Sequence, residues 1–414
     1  MRPTLVTIGT GVAAVSAAET LRSNGFDGRL VLVGAEPHLP YDRPPLSKGL
    51  LLGGQTPSDI LLHQQSFYDD NEIELVLGDP VTAIVPSERK VVLDSGATLV
   101  TDQLLFATGG APRRLNVPGD HLEGIHYLRS IDDALAIQDQ LQVHGSIVIV
   151  GAGFIGAEVA AAARQRGCPV TLLELASVPL RHAVGDQIGG VYAQLHRDHG
   201  VDLRTGVGVA AFNGPDRVWE VITTDDQTIP ADLVVVGVGM TPRTGLAESA
   251  GLSIDNGIVV DEYGQSSIDG IYATGDVARR LDPRTARHVR LEHWQHARRH
   301  AEAVARSMIG DRQPFDDVPW FWSDQYDVNL QTAGNPRAGS TVVTRGIIDE
   351  MSFSTFSLDG DHIVGVIGVN RPRDVRAAMR LIEQRTPVSA ATLGDDDVDL
   401  RRLAKSATQQ FVTD

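Results

Sequence analysis

A pattern of strand, glycine turn, helix and strand occurs twice in this chain, and it constrains the fold more than any other feature. In the first copy an apolar run, Leu5–Ile8, leads into the turn Gly9-x-Gly11-x-x-Ala14. An alanine-rich helix follows, and then a second apolar run, Arg29–Gly34, with Glu36 at its end. Apolar, β-branched strands separated by helices are typical of a parallel sheet covered on both faces. The sequence therefore predicts an α/β fold with Rossmann-like units.

The second copy repeats these parts in the middle of the chain. Its apolar run, Ile147–Val150, leads into Gly151-x-Gly153-x-x-Gly156, and its second strand, Val170–Leu173, ends at Glu174. In such units the first glycine permits the turn, the second lets the backbone approach a pyrophosphate, and the third position must be small for packing. The helix N-terminus faces the phosphates and the acidic residue accepts hydrogen bonds from ribose hydroxyls. One such motif is a weak signal, but two predict two bound dinucleotides rather than two nucleotide-free turns.

The first 19 residues allow a second interpretation. An early Arg2, an apolar run and a tail of small residues resemble a secretory signal. Because the glycines fall where a phosphate-binding turn needs them, we interpret the segment as a buried strand, Thr4–Ile8, followed by that turn. No uninterrupted run of about 20 apolar residues is present, so a membrane-spanning helix is not expected. We expect a cytoplasmic protein.

Composition excludes several classes of function. The chain has 414 residues, a formal net charge of −17 and a single cysteine, Cys168. The length predicts two or three domains at about 100–200 residues each. One cysteine excludes an intramolecular disulfide, a Cys-x-x-Cys pair and a zinc site with several thiolates. The negative charge disfavours nonspecific binding to nucleic acid.

Three further strands end in glycine and favour a flavin in the first unit. Leu104–Thr108 leads into Gly109, Leu233–Val236 into Gly237-x-Gly239-x-x-Pro242, and Ile271–Thr274 into Gly275-Asp276. A carboxylate placed after such a strand, ahead of a helix start, can bind the ribityl chain of a flavin. The alternative role of Asp276 is that of a helix N-cap.

With these motifs the chain resembles the FAD-dependent ferredoxin reductase family, over essentially its whole length. The resemblance is to the subgroup of putidaredoxin and rubredoxin reductases and of the reductase components of bacterial aromatic-ring dioxygenases. The segments that carry it are Gly9–Ala14, Tyr41–Lys48, Ala107–Gly109, Gly151–Glu158, Tyr272–Asp276 and Pro319–Gln325.

The resemblance implies a glutathione-reductase-like arrangement of domains. A discontinuous FAD-binding domain would comprise residues 1–112 and 243–317. An NAD-binding domain would comprise residues 113–242, and a C-terminal α/β domain would comprise residues 318–414.

The resemblance also implies the cofactors, FAD and NADH, and the residues that bind them. The cofactor-binding residues would be Gly9, Gly11, Ala14, Glu36, Arg43, Lys48, Val81, Ala107, Thr108, Gly109, Arg129, Asp276, Val277, Trp294, Gly151, Gly153, Ile155, Gly156, Glu158, Glu174 and Gly239. In the family a lysine matching Lys48 lies near flavin N5 and pairs with a glutamate matching Glu158. An aromatic residue matching Trp322 lines the flavin. The three catalytic residues would thus be Lys48, Glu158 and Trp322.

Each of these residues has an ordinary structural alternative. Lys48 alone reads as a solvated loop lysine, although the two prolines before it fix the direction of the chain. Glu158 could be a carboxylate favoured by the helix dipole, Arg43 a surface ion pair, and Trp322 a core residue. Trp294 matches the family, but the residue before it departs from the pattern, because His293 stands where a serine is expected.

Glu174 favours NADH over NADPH, since a carboxylate accepts from a free 2′-hydroxyl and repels a 2′-phosphate. The family has an arginine about four residues later, where this chain has Val178. Arg181 or His182 could substitute for it. Arg243 also departs from the family pattern, in which an asparagine is common.

His293, His296 and His300 have the spacing of zinc ligands on one helix. Arg298 and Arg299 would add repelling charge, and no carboxylate pair completes the set. We therefore predict no metal site and interpret the three residues as surface or flavin-edge histidines.

The predicted function is transfer of electrons from NADH through FAD to a two-iron ferredoxin, with a rubredoxin as the alternative carrier. The carrier would serve a haem monooxygenase or a ring-hydroxylating dioxygenase. Because ferredoxins are acidic, we expect docking near Arg298 and Arg299, with Arg337 as a further candidate. The other functions left open are a thiol-independent NADH oxidase and a flavin redox sensor or scaffold.

Overall fold

The structure is a computed structural model that describes residues 2–141 and 145–411, with side chains described through residue 405. The strands, in chain order, are β1 Thr4–Ile8, β2 Arg29–Gly34, β3 Ile73–Leu77, β4 Val81–Val85, β5 Lys90–Leu93, β6 Thr98–Val100, β7 Gln103–Phe106, β8 Gly110–Pro112, β9 Ile125–His126, β10 Ile147–Val150, β11 Val170–Glu174, β12 Asp202–Thr205, β13 Val209–Asn213, β14 Glu220–Thr223, β15 Thr228–Pro230, β16 Leu233–Val236, β17 Met240–Pro242, β18 Ile258–Val260, β19 Ile271–Ala273, β20 Ala278–Asp282, β21 Arg287–Val289, β22 Trp320–Gln325, β23 Val328–Gly334, β24 Thr341–Ile347, β25 Ser352–Asp359 and β26 His362–Val369.

The α-helices are α1 Val12–Ser23, α2 Gly49–Leu52, α3 Gln65–Asp70, α4 Ile131–Leu141, α5 Phe154–Gln165, α6 Arg181–Asp198, α7 Gly245–Ser249, α8 Trp294–Met308, α9 Pro372–Glu383, α10 Ala390–Gly394 and α11 Leu400–Phe411. Single 3₁₀ turns occur at Pro44–Ser47, Pro57–Ile60, Pro86–Glu88 and Gly275–Val277.

The chain divides into two compact units. Unit 1 consists of Met1–Pro44, Thr56–Ala111 and Met240–Asp317. Unit 2 consists of Pro45–Gln55, Pro112–Gly239 and Val318–Asp414. The three-domain division expected from the family stays a prediction.

Unit 1 is built on a five-stranded parallel sheet with the order β19-β7-β1-β2-β3. Strand β1 lies in the middle of the sheet, so the interpretation of Thr4–Ile8 as a buried strand is confirmed. Helices α1 and α8 pack together through small residues, with Ala14 and Ala17 of α1 in the same core as Ala297 and Ala301 of α8. Because the two helices pack together, the start of α1 and the start of α8 lie in the same unit.

Unit 2 contains a second five-stranded parallel sheet, with the order β12-β11-β10-β16-β9. Its C-terminal part is an antiparallel sheet with the order β22-β23-β26-β25-β24. The two parts share one apolar core, in which Tyr192 and Leu195 of α6 pack with Val328 and Phe353. The α/β class and the two Rossmann-like sheets predicted from the sequence are therefore confirmed.

In the part of the chain that the structure describes, no helix is both long enough and apolar enough to span a membrane.

Candidate functional site

The first glycine turn lies between β1 and α1 in unit 1. Gly9 has φ +121°, and a Cβ there would lie 2.2 Å from the carbonyl oxygen of Ala107, so only glycine fits. At Gly11 an added Cβ would meet nothing within 4 Å, and α1 begins at Val12 without a side-chain cap. The helix therefore begins with no side-chain cap beside a glycine that leaves room for a ligand, which is the arrangement that accepts a phosphate. The turn fits a dinucleotide.

Glu36 follows β2 and is joined to the segment after it. Its carboxylate accepts a hydrogen bond from the Tyr41 hydroxyl and lies 2.8 Å from Arg43 Nη2. Burial opposes ionisation of Glu36, but the charge of Arg43 and the hydrogen bonds from Tyr41 and Arg43 outweigh it and lower its pKa. Arg43 thus forms an ion pair beside the predicted ribose carboxylate. Sequence reasoning missed Tyr41, although it begins the motif that ends at Lys48.

Asp276 lies in a different local structure from the one predicted. The residue belongs to the 3₁₀ turn Gly275–Val277, and strand β20 follows that turn, not a helix. The prediction of an α-helix start after Asp276 was therefore wrong, because the chain leaves the turn directly into the strand Ala278–Asp282. A Cβ on Gly275 would lie 3.2 Å from Ala13 and 3.5 Å from Ala297, so the turn approaches the starts of α1 and α8. Asp276 is thereby brought beside the first glycine turn.

Several other residues that were predicted to bind the cofactor also lie in unit 1. Val81, Ala107 and Val277 are buried. The indole N–H of Trp294 donates to Asp42 at 2.7 Å, and burial raises the pKa of that carboxyl.

Arg243 acts through its backbone. Its N–H donates to the carbonyl of Gly109 at 3.0 Å, and its own carbonyl accepts from the Thr108 hydroxyl at 3.0 Å. These two bonds hold the Thr108-Gly109 turn, and any residue except proline could supply them.

The second glycine turn lies between β10 and α5 in unit 2. A Cβ on Gly151 would lie 2.5 Å from the carbonyl oxygen of Gly237, and one on Gly156 would lie 1.9 Å from that of Gly151. At Gly153 the nearest atom to an added Cβ is 4.0 Å away, and α5 begins without a side-chain cap. Close packing therefore fixes the first and third glycines, while the second faces open space. This turn also fits a dinucleotide.

Glu174 closes strand β11 with both carboxylate oxygens engaged. They accept hydrogen bonds from the backbone N–H groups of Ala152, at 2.7 Å, and Ala176, at 2.8 Å. Val178, at the position where the family has arginine, packs against α6, since a Cβ on Gly189 would lie 2.5 Å from it. Arg181, a candidate substitute, is paired with Asp186 at 2.7 Å.

The remaining predicted residues of unit 2 lie in α5, after β16 and before α4. Ile155 is 43% exposed, Gly239 has φ +106°, and the backbone N–H of Arg129 donates to Asp133. Leu175 is 74% exposed directly after Glu174 and was missed by sequence reasoning. Apolar residues at such exposure are a feature that only the structure shows.

Lys48 and Glu158 form an ion pair within unit 2. The distance from Lys48 Nζ to Glu158 Oε1 is 2.9 Å, and Glu158 is only 4% exposed. The hydroxyls of Ser47, at 2.5 Å, and Ser323, at 2.7 Å, also donate to this carboxylate. A buried carboxylate needs such partners, because an unpaired buried charge is costly. Both serines lie inside the motifs quoted above, yet the sequence did not single them out.

Trp322 lies on β22, where alternate side chains face opposite ways. Trp320 and Trp322 stack at a centroid distance of 5.3 Å on one face. On the other face Phe321 packs against Phe154 of α5 at 4.3 Å, and Ser323 reaches Glu158. The strand thus presents an aromatic pair on one side and a polar partner of Glu158 on the other.

The histidines of α8 were predicted to be surface or flavin-edge residues, and a surface position was wrong for two of the three, while the flavin-edge position stays a prediction. His296 and His300 are 3% and 1% exposed, stack at 5.3 Å and pack against Phe315. Burial, with the nearby charge of Arg280, lowers the pKa of His300 to about 3. Both face inward because they lie on the buried side of α8. Among the described residues no group of histidine, cysteine or acidic side chains is arranged to bind a metal.

Comparison with known proteins shows the family. Residues 3–301 match the model of the pyridine nucleotide-disulphide oxidoreductases, and residues 320–404 match that of the reductase C-terminal domain. The chain belongs to the pyridine nucleotide-disulphide oxidoreductase family. It is 41% identical to rhodocoxin reductase of Rhodococcus erythropolis, over 96% of this chain and 93% of that protein. It is 39% identical to the ferredoxin–NAD(+) reductase component of the anthranilate 1,2-dioxygenase system of Burkholderia cepacia, over 96% of this chain and 98% of that component.

A solved structure, that of the covalent complex of putidaredoxin reductase with putidaredoxin, superposes with a TM-score of 0.94 at 37% identity, covering 98% of this chain and 99% of that one. The family resemblance seen in the sequence is thus confirmed.

Membership in this family does not bring dithiol chemistry. The single cysteine, Cys168, is buried, and its thiol donates to the carbonyl of Leu141 at 3.2 Å. Burial raises the pKa of this thiol, which disfavours the reactive thiolate. One buried thiol cannot form the cysteine pair that disulfide exchange requires.

Proposed function

We propose that this protein is an FAD-dependent reductase that takes electrons from NADH and passes them to a two-iron ferredoxin, with a rubredoxin as the alternative carrier. The carrier would serve a haem monooxygenase or a ring-hydroxylating dioxygenase. The observation that carries the proposal is the pair of glycine turns, Gly9–Ala14 and Gly151–Gly156, each opening an uncapped helix. The relatives named above support it, since one is a ferredoxin–NAD(+) reductase component. We assign the reaction to the cytoplasm, where NADH is produced.

The residues of each unit have distinct tasks in this proposal. When bound, NADH supplies a hydride, and FAD accepts two electrons and releases them singly. In unit 1 the turn at Gly9 and Gly11 binds the FAD pyrophosphate, and Glu36, held by Arg43, accepts from a ribose. In unit 2 the turn at Gly151 and Gly153 binds the NADH pyrophosphate.

The charged groups of unit 2 determine the donor and the chemistry. Glu174 keeps a negative charge where NADPH would place a phosphate, so NADH is preferred. Lys48 supplies positive charge for the hydride-transfer step, and Glu158 orients Lys48. Ser47 and Ser323 hold the carboxylate of Glu158 in place.

The proposed function is tested by reduction of cytochrome c with a panel of purified two-iron ferredoxins and rubredoxins, using NADH or NADPH as the donor. We expect rapid turnover only when NADH and one iron–sulfur carrier are both present. Equal consumption of NADH without any carrier would contradict the proposal and indicate an NADH oxidase.

We also propose that the carrier docks near Arg298 and Arg299 on α8. Arg298 is 48% exposed and pairs with Glu302 at 3.1 Å, and Arg299 is 41% exposed and pairs with Asp317 at 2.5 Å. In a chain with a net charge of −17, such cations are the groups that attract an acidic partner. Arg337 is a weaker candidate, because its guanidinium donates to the carbonyl of His182.

Reversing both charges, Arg298→Glu with Arg299→Glu, is expected to raise the KM for ferredoxin about 10-fold, because steering by charge is lost. Reduction of ferricyanide by NADH should stay unchanged, since that small acceptor needs no docking surface. The matched control is Arg29→Glu with Arg89→Glu, which reverses two exposed arginines of the same unit that are paired with Glu74 and Asp102. Ferredoxin kinetics that respond equally to both charge reversals would contradict docking at α8.

A further inference from the structure

A continuous series of buried hydrogen bonds leads away from Glu158. Ser323 Oγ lies 2.7 Å from Glu158 Oε1, and Gln325 Nε2 lies 3.3 Å from Ser323 Oγ. Gln325 Oε1 lies 3.0 Å from His196 Nε2, and His196 Nδ1 lies 3.2 Å from the Tyr326 hydroxyl. Ser323, Gln325 and His196 are each no more than 1% exposed. The series is therefore shielded from solvent along its middle.

The chemistry of the groups determines the direction of these bonds. An ionised carboxylate only accepts, so Ser323 must donate to Glu158 and must itself accept from the Gln325 amide. The amide oxygen of Gln325 then accepts from a protonated Nε2 of His196, which leaves Nδ1 to accept from Tyr326. Burial lowers the pKa of His196 to about 4, so the ring is neutral at pH 7. Every donor in the series points towards Glu158.

The fold explains how these residues meet. Ser323 and Gln325 are two positions apart on β22, so their side chains share a face. Helix α5 supplies Glu158, and helix α6 supplies His196. The packing of Phe321 against Phe154 fixes the same face of β22 on α5. Three elements of unit 2 thus converge on one carboxylate.

We propose that Ser323, Gln325 and His196 are positioning residues that hold the Glu158 carboxylate in one orientation, aimed at Lys48. The inference rests on the proposed function, because the Lys48–Glu158 pair is taken to act in hydride transfer. Hydrogen bonds that all point the same way polarise one another, and each bond donated to a carboxylate favours its charged form. A supporting shell of this kind also restricts the carboxylate to one orientation.

The first test is a double-mutant cycle of Ser323→Ala and Lys48→Met, with the rate of flavin reduction by NADH measured by stopped flow. Ser323→Ala alone should slow the rate about 10-fold, the effect of losing one hydrogen bond to a charged group. In the Lys48→Met background it should have less than about a twofold effect, because the pair through which it acts is gone. An equal effect in both backgrounds would overturn the inference. The midpoint of thermal unfolding of each variant separates a loss of fold from a loss of rate.

The second test needs neither NADH nor a carrier. In the FAD-loaded protein labelled with ¹⁵N-histidine, NMR at pH 7 should show His196 protonated at Nε2 and bare at Nδ1, with the resonance assigned by its loss in His196→Gln. Gln325→Leu removes the acceptor at Nε2 and should mix the two tautomers. A His196 protonated at Nδ1 in the unsubstituted protein would overturn the direction of the series. Loss of carrier-dependent turnover, by contrast, would count only against the proposed function.

Discussion

Replacing Lys48 by methionine is expected to slow the reduction of bound flavin by NADH about 100-fold, the effect of removing a preorganised charge from an active site. Methionine keeps most of the length of the lysine side chain and removes only the ammonium group. Its partner Glu158 is 4% exposed, so the carboxylate would keep two serine hydroxyls but lose the positive charge of Lys48. The variant therefore removes the positive charge and leaves a buried negative one.

The measurement is the rate constant of flavin bleaching after rapid mixing with NADH under anaerobic conditions. Lys90→Met is the matched control, since Lys90, the first residue of β5, is partly exposed and is paired with Glu88. Lys48→Arg, which keeps the charge, should recover part of the rate. An unaltered rate in Lys48→Met would reject the role of the pair in hydride transfer.

The parts of the fold set by local sequence were predictable. The predicted bounds of β1, β2 and β10 match the structure, because each is a short apolar run ended by glycine or an acidic residue. Gly151 and Gly156 were predictable for the same reason, since a Cβ at either position would collide with backbone. Because only glycine meets such steric demands, these positions can be recognised in a single sequence.

The site residues that depend on distant partners were not predictable from local pattern. Ser47 and Glu158 are 111 positions apart, and Ser323 and Glu158 are 165 apart. Residues so far apart in the chain share no periodic pattern. The Lys48–Glu158 pair was therefore expected only from the family resemblance. The role of Ser323 could not be predicted from the sequence, because a serine within a strand does not by itself indicate a functional residue. What decides its role is which helix packs on that face of β22.

Burial of α8 was misjudged for a related reason. Histidines interspersed with Arg298 and Arg299 suggested a solvated helix face. The structure buries His296 and His300 beside Phe315 and the charge of Arg280. Polar residue types therefore do not determine which side of a helix the core covers.

The buried histidines predict a loss of stability in mild acid. Burial, the largest cause in each case, lowers the pKa of His196 to about 4 and that of His300 to about 3, and it lowers the pKa of His296 as well. In the unfolded chain each histidine has a pKa of about 6.5, so below that pH the unfolded state binds more protons than the folded state. Stability is therefore complete above about pH 6.5 and decreases as the pH falls towards the folded values.

At pH 5 His196 and His300 are each expected to lower the free energy of unfolding by about 2 kcal/mol relative to pH 7, and His296 acts in the same direction. Carboxylates with a lowered pKa, such as Glu36, lose their contribution only at lower pH, below about 4.5. The interval from pH 7 to pH 5 therefore isolates the histidines.

Urea unfolding followed by circular dichroism should show the midpoint falling steeply between pH 7 and pH 5. His300→Leu should make this decrease shallower, because a neutral side chain replaces a buried group that binds a proton only on unfolding. His121→Gln is the matched control, since His121 is 81% exposed and its replacement should leave the pH dependence as it is. A midpoint that stays constant from pH 7 to pH 5, or one that responds equally to both replacements, would contradict the burial of neutral histidines. The part of the decrease that comes from the histidines of α8 should also persist in Lys48→Met, because α8 lies in unit 1, while Lys48 lies in unit 2.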